Sequence, residues 1–258
     1  MTRTPVLCIL TILFAAALHA EPIRVRQSQG TEHGFLVIRS EGGEVIGHGD
    51  LIQTAHGTRV TSDLALHFKD GSLDDETAVY TQNGTFHLIS DHHIQKGPFF
   101  KTALDMTVEA GGQVTIRTAD KDGKVQSQTK HVDLPADVCN GMLAPLMVNI
   151  PATTPGLKLG FVAPQGDKPR LIKLNITPDS TGKFTDVGMT YNATIFRIHL
   201  ELGGVVGVVA PIIGKQPGDL YIWVSESPAP QLLRLEGALA DGGQVVSVEL
   251  SGATFNHD

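Results

Sequence analysis

The stretch Arg59-Val60-Thr61-Ser62-Asp63-Leu64-Ala65-Leu66-His67-Phe68 decides the fold. Val60, Leu64, Leu66 and Phe68 fall on one face of an extended chain, with Thr61, Asp63 and His67 on the other. Successive side chains of a strand point to opposite faces, so this is the pattern of a half-buried strand. The spacing recurs. Leu104, Met106 and Val108 alternate with Asp105, Thr107 and Glu109, and Phe196, Ile198 and Leu200 with Ile195, Arg197 and His199. Val246, Val248 and Leu250 alternate with Ser247 and Glu249. Turn signals punctuate these runs at Glu41-Gly42-Gly43, Asp70-Gly71-Ser72, Asn83-Gly84, Gly111-Gly112, Asp122-Gly123, Ser180-Thr181-Gly182 and Asp241-Gly242-Gly243. The expectation is a mainly β chain, a large curved antiparallel sheet forming a half-barrel or barrel of about fifteen strands.

One segment breaks the alternation. After Leu134-Pro135, the residues Val138, Met142, Leu143, Leu146 and Met147 recur at mixed spacings of three and four. They predict one short helix from about Ala136 to Ala144, ended or kinked by Pro145. Helix and loop, 134–156, join two β halves, 21–133 and 157–251. No charged or low-complexity linker separates the halves, so residues 21–258 read as a single β-rich domain. A sheet this apolar must cover its inner face, and the helix is placed to do so.

The chain has 258 residues, 41% of them hydrophobic and 18% charged. That composition supports a real core and excludes a disordered, collagen-like or coiled-coil chain. Lys and Arg number 20 against 27 Asp and Glu, and there are one Trp and three Tyr. Such a chain lacks both the basic field and the stacking surface that nucleic-acid binding needs.

Met1 to Ala20 (MTRTPVLCILTILFAAALHA) reads as a secretory signal peptide. Arg3 supplies the positive start, Val6 to Leu18 the apolar core, and Leu18-His19-Ala20 the cleavage site. That apolar run is short of the roughly 20 residues a membrane-spanning helix needs. Cleavage near Ala20 removes Cys8 and leaves Cys139 alone, so an internal disulfide is not expected. A periplasmic or secreted location follows, with no transmembrane segment in the mature chain.

Motifs for chemistry are sparse. The run from Gly207 to Gly214-Lys215-Gln216 has the wrong glycine spacing for a phosphate-cradling loop and Gln216 where a hydroxyl is needed. Neither a Gly-x-Ser-x-Gly elbow nor a His-Glu-x-x-His motif occurs. Asp120-Lys121-Asp122-Gly123 resembles the middle of a calcium loop but lacks both end ligands. Asp70, Asp74, Asp75 and Glu76 read as a solvated acidic loop, and Cys139 as a small core residue. The best candidate for polar chemistry is His87, Asp91 and His93, which project to one face of a strand as a zinc or nickel half-site. No catalytic residue is assigned and no cofactor is expected. Leu202 to Ile213 is the most apolar stretch after the leader. Val205, Val208 and Ile212, with Met142 and Met147, are the candidate lining of an apolar ligand cavity.

The C-terminal half, residues 134–250, resembles a domain-of-unknown-function family of exported bacterial β-rich proteins. The resemblance rests on Asp137-Val138-Cys139-Asn140-Gly141, Pro155-Gly156-Leu157, Ile222-Trp223-Val224-Ser225, Pro230-Gln231-Leu232-Leu233 and a closing Gly-containing hairpin. It implies an exported, curved antiparallel sheet in the style of the half-barrels of periplasmic lipoprotein carriers, and it brings no catalytic residues. Pro145 departs from the family pattern by shortening the helix. Three functions remain open. The leading expectation is a non-enzymatic binding or carrier protein for an apolar, lipid-like ligand. The alternative is a cell-envelope structural or assembly protein that acts through protein contacts. The third is a metal-dependent hydrolase using His87, Asp91 and His93.

Overall fold

The computed structural model describes residues 22–119, 125–166, 168–186, 188–202 and 217–251. Eight strands form the first half: β1 (Glu32–Ser40), β2 (Val45–His56), β3 (Arg59–Phe68), β4 (Leu73–Asn83), β5 (Thr85–Lys96), β6 (Leu104–Glu109), β7 (Gln113–Ala119) and β8 (Val125–His131). One helical turn, α1 (Leu143–Met147), follows. The second half holds β9 (Leu157–Gln165), β10 (Lys168–Asp186), β11 (Met189–Glu201), β12 (Leu220–Ser225), β13 (Leu232–Ala238) and β14 (Val245–Ser251). All fourteen lie in one antiparallel sheet, ordered β8 to β1 and then β14 to β9.

Every neighbouring pair but one is a hairpin or consecutive connection. The exception is β1 against β14, from Phe35 opposite Ser251 to Ser40 opposite Val246, which joins the two halves. The chain thus starts at the middle of the sheet, runs out to β8, crosses over and returns from the far edge at β9. The sheet curls until its outer strands face each other. Met106, Val108, Val114 and Ile116 of the first half share one buried core with Leu159 and Ile172 of the second, and β6 and β7 contact β9 and β10.

It does not close. β8, Val-Gln-Ser-Gln-Thr-Lys-His, is exposed along almost its whole length. With no apolar row to bury, it gains nothing by turning inward to meet β9, and a polar edge with Lys130 resists pairing with stray strands. The segment between β8 and β9 fills the gap instead. Val138 bridges Gly160 in parallel, and the Cys139 amide donates to the Gly160 carbonyl at 2.9 Å. Asn140 continues the pairing with its side chain: Nδ2 donates to the Val162 carbonyl at 2.9 Å, and the Val162 amide donates to Oδ1 at 2.8 Å. A side-chain amide here satisfies a strand edge as a backbone would.

Two expectations are corrected. The helix is α1, not 136–144, because Val138 to Asn140 are used along the β9 edge and Gly141 has φ of 62°. Helical geometry is possible only beyond Gly141. Pro145 then falls in the first turn, where its missing N–H costs nothing, and α1 runs on to Met147. The Ser180-Thr181-Gly182 signal lies inside β10 rather than at a turn. Gly182 is there for space, since a Cβ would stand 2.7 Å from Trp223 Cζ3. The Glu41, Asp70, Asn83, Gly111 and Asp241 signals all fall between strands, while Asp122-Gly123 lies outside the described residues.

Replacing Asn140 by Ala would leave the buried Val162 amide and carbonyl without partners. The expected loss is about 2–4 kcal/mol, read as a lower urea midpoint at unchanged slope.

Candidate functional site

The interior beneath the crossing segment brings buried carboxylates and an imidazole together. The segment drops Met142, Leu146, Met147 and Ile150 into the core between the facing strands. Val138, Met142, Leu146 and Leu159 meet Pro22, Ile23 and Phe86 around a cleft with no room for a water molecule. Asn149 anchors the end of the segment. Its Oδ1 accepts from the Arg26 and Gln27 amides at 2.7 Å each, and its Nδ2 donates to the Pro145 carbonyl at 2.7 Å.

Gly141 sits against the sheet. A Cβ there would lie 2.4 Å from Ala78 Cβ and 2.7 Å from Asp91 Oδ1, so only glycine allows this approach, and only glycine tolerates its positive φ. The Gly141 amide hydrogen-bonds Glu76. Around that contact two neighbouring strands place four titratable groups: Asp74 and Glu76 from β4, Asp91 and His93 from β5. His93 Nε2 is 2.6 Å from Asp74 Oδ1, and Nδ1 is 3.9 Å from Glu76 Oε1. Gln95 Nε2 donates to Asp74 Oδ2 at 2.9 Å and to the Leu239 carbonyl at 3.0 Å. Asp91, fully buried, and Asp137 on the crossing segment have no hydrogen-bond partner among the described residues.

The electrostatics follow from this arrangement. Burial works against a charged His93, but the Asp74 hydrogen bond and the charges of Glu76 and Asp74 outweigh it and hold the imidazolium up to about 9. Burial raises the Glu76 carboxyl above its usual range, His93 offsets part of this, and Asp74 adds to it. Asp91 is raised well above the usual carboxylate range by burial and by Glu76. An unpartnered buried carboxylate is costly, and a bound proton removes that cost. The Cys139 thiol is pushed far up, first by burial and then by Asp137 and Glu76. It is the thiol, not the thiolate, that packs in this core.

Of the sequence-derived residues, Met142 and Met147 lie in this interior, each almost fully buried. Val205, Val208 and Ile212 lie outside the described residues. Asp91 and His93 also face inward, but His87 does not. Val79 pairs with Ser90 and Tyr80 with Leu88, leaving Ile89 as a bulge. The extra residue flips the alternation, so Phe86 and Leu88 before it share the inner face with Asp91 and Gln95 after it. His87 is turned outward, where Nε2 lies 2.7 Å from Thr85 Oγ1. Among the described residues, no three His, Cys, Asp or Glu side chains are placed to hold a metal ion.

The acidic run Asp70 to Glu76 is corrected too. Only Asp70 belongs to a turn, where its Oδ1 accepts from the Ser72 amide at 2.9 Å. Asp74 and Glu76 are strand residues on the side of Ala78 and Tyr80, and Asp74 is buried. The signal was the period of two running on through acidic residues. Asp137 and Asn140 gave no comparable signal.

His93 is raised above its ordinary value of about 6.5. Its contribution to stability is therefore complete below that pH and lost as pH rises through about 9. Asp91 acts in the same direction, since its native form keeps a proton that the unfolded chain releases. Urea unfolding should show stability falling by on the order of 2–3 kcal/mol between pH 6.5 and 9.5. A flat profile would show that His93 is not held as a cation.

No family model matches the chain, and no curated protein does. Among solved structures it is similar to the crystal structure of a β-barrel-like protein of domain of unknown function DUF1849 from Brucella abortus. That similarity has a TM-score of 0.45 at 7% sequence identity and covers 89% of this chain and 100% of the other.

Proposed function

We propose that this is an exported, non-enzymatic binding protein that holds an apolar, lipid-like ligand inside its incomplete barrel, with the crossing segment as a displaceable plug. One observation carries the reading. The space between the facing strands is filled by Met142, Leu146, Met147 and Ile150, side chains from outside the sheet. Removing that segment leaves the sheet's own hydrogen bonds intact and uncovers an interior with an apolar wall on β9 and β10 and a polar patch on β4 and β5. Flexible Met side chains suit a surface that must pack against both a plug and a ligand. The reading includes the leader at Met1 to Ala20 and a periplasmic or secreted location. No helix among the described residues is long and apolar enough to cross a membrane.

A second reading has its own observation. β8 ends the sheet order among the described residues, and an exposed edge can accept a strand from another protein. An envelope assembly role would use that edge.

The full chain, exported to a bacterial periplasm with its own leader, should carry a co-purifying mass in native mass spectrometry that extracts into organic solvent as lipid. A clean apo mass, together with no binding of a fluorescent long-chain fatty acid, would remove the carrier reading. Photocrosslinking in cells from position 126 or 129 of β8 would capture a protein only if the edge is used.

A further inference from the structure

We propose that His48 and His67 form a two-imidazole binding site for a late first-row divalent ion (Cu(II), Ni(II) or Zn(II)) on the outer face of β2 and β3. The site is separate from the interior and independent of the carrier reading. His48 stands directly opposite His67 in the β2–β3 register. Their rings lie side by side, centroids 5.6 Å apart and planes 27° from parallel. Both residues are exposed.

The sheet behind them is stiff for a reason visible in the sequence. Gly47 and Gly49 flank His48 and face inward, where Leu66 and Ile38 press against the β2 backbone. A Cβ at Gly47 would lie 2.5 Å from the His67 carbonyl oxygen, and one at Gly49 would lie 2.5 Å from Leu66 Cδ2. β2 and β3 are also paired on their far sides, to β1 and β4. The two imidazoles therefore start from fixed Cα positions on neighbouring strands. Side-chain rotation alone can bring one ring nitrogen of each to the roughly 2.0–2.1 Å that an imidazole ligand needs. Binding then costs little ordering beyond those rotations.

The surroundings favour a cation. Asp50 and Asp75 flank the pair one step along the same face, both in register with Ala65. Asp50 Oδ1 is held by His33 at 2.7 Å, and the nearby Lys69 ammonium donates to the Val45 carbonyl. The two carboxylates supply field rather than ligands, because among the described residues no third side chain of this type converges. Water or a ligand from solution fills the remaining coordination positions. Two imidazole nitrogen donors select copper, nickel and zinc over magnesium and calcium, which prefer oxygen.

The test uses the untagged full chain, stripped with EDTA and titrated calorimetrically with copper, nickel and zinc salts at pH 7.5, with magnesium and calcium as comparison ions. One ion should bind per chain for at least one of the three metals, with no heat from magnesium or calcium. Chelation requires both rings, so His48→Gln and His67→Gln should each weaken binding at least tenfold, while His199→Gln, on β11, should not. Both tested side chains are exposed, and unchanged urea midpoints would confirm that the variants fold. Absence of binding, or binding that survives either single substitution, would leave a stacked surface pair and overturn the proposal.

Discussion

The pair of hydrogen bonds between the Asn140 side chain and the backbone of Val162 stands where a fourteenth strand pairing, β8 with β9, would be needed to close a barrel. A curled sheet with two free edges has two problems: unpaired backbone groups at each edge and an apolar inner face open at the gap. β8 avoids the first by being polar and solvated. β9 cannot, because its edge lies next to the core. The chain meets both needs with one segment, in which Val138 to Asn140 pair the β9 edge and Met142 to Ile150 fill the interior. Gly141, between these two stretches, has the conformation that lets the chain change from one task to the other.

The groups under that segment make a contrast in how buried polarity is tolerated. Asp74, His93 and Gln95 are linked by hydrogen bonds of 2.6 and 2.9 Å, a charge-assisted arrangement that offsets much of its desolvation. Asp91 has no such partner and is tolerated by keeping its proton. The two solutions support one another. A neutral Asp91 adds no further negative charge beside Glu76, which leaves less for the single imidazolium to offset. Polarity here is concentrated on β4 and β5, while the facing wall offers Leu159, Val162, Ile172 and Leu174.

The strand content was legible because inward residues such as Leu66, Phe68, Met106 and Val108 keep a strict period of two, and turn glycines separate the runs. What escaped the sequence has local causes. The Ile89 bulge shifts the parity of β5 by one residue, and nothing in Phe86 to His93 announces where the extra residue falls. His87 was therefore assigned to the wrong face relative to Asp91. The acidic side chains of Asp74 and Glu76 masked an inward row, because a charge is the usual mark of the solvent side. Asn140 looks like any surface polar residue until β9, some 20 positions later in the chain, is placed beside it.

A filled interior is compatible with binding if the exchange of plug for ligand is nearly balanced. Returning Met142, Leu146, Met147 and Ile150 to water costs about 1.5–3 kcal/mol each, or roughly 6–12 kcal/mol for the four. Each methylene that enters in their place returns about 0.8 kcal/mol. A chain of about fourteen carbons therefore recovers about 11 kcal/mol, while one of about six recovers less than half as much. The Val162 groups released by Asn140 add to the cost unless the ligand or water satisfies them. On this reckoning the plug itself sets a lower limit on ligand length. Short amphiphiles would leave the barrel closed, and only long acyl chains would hold it open.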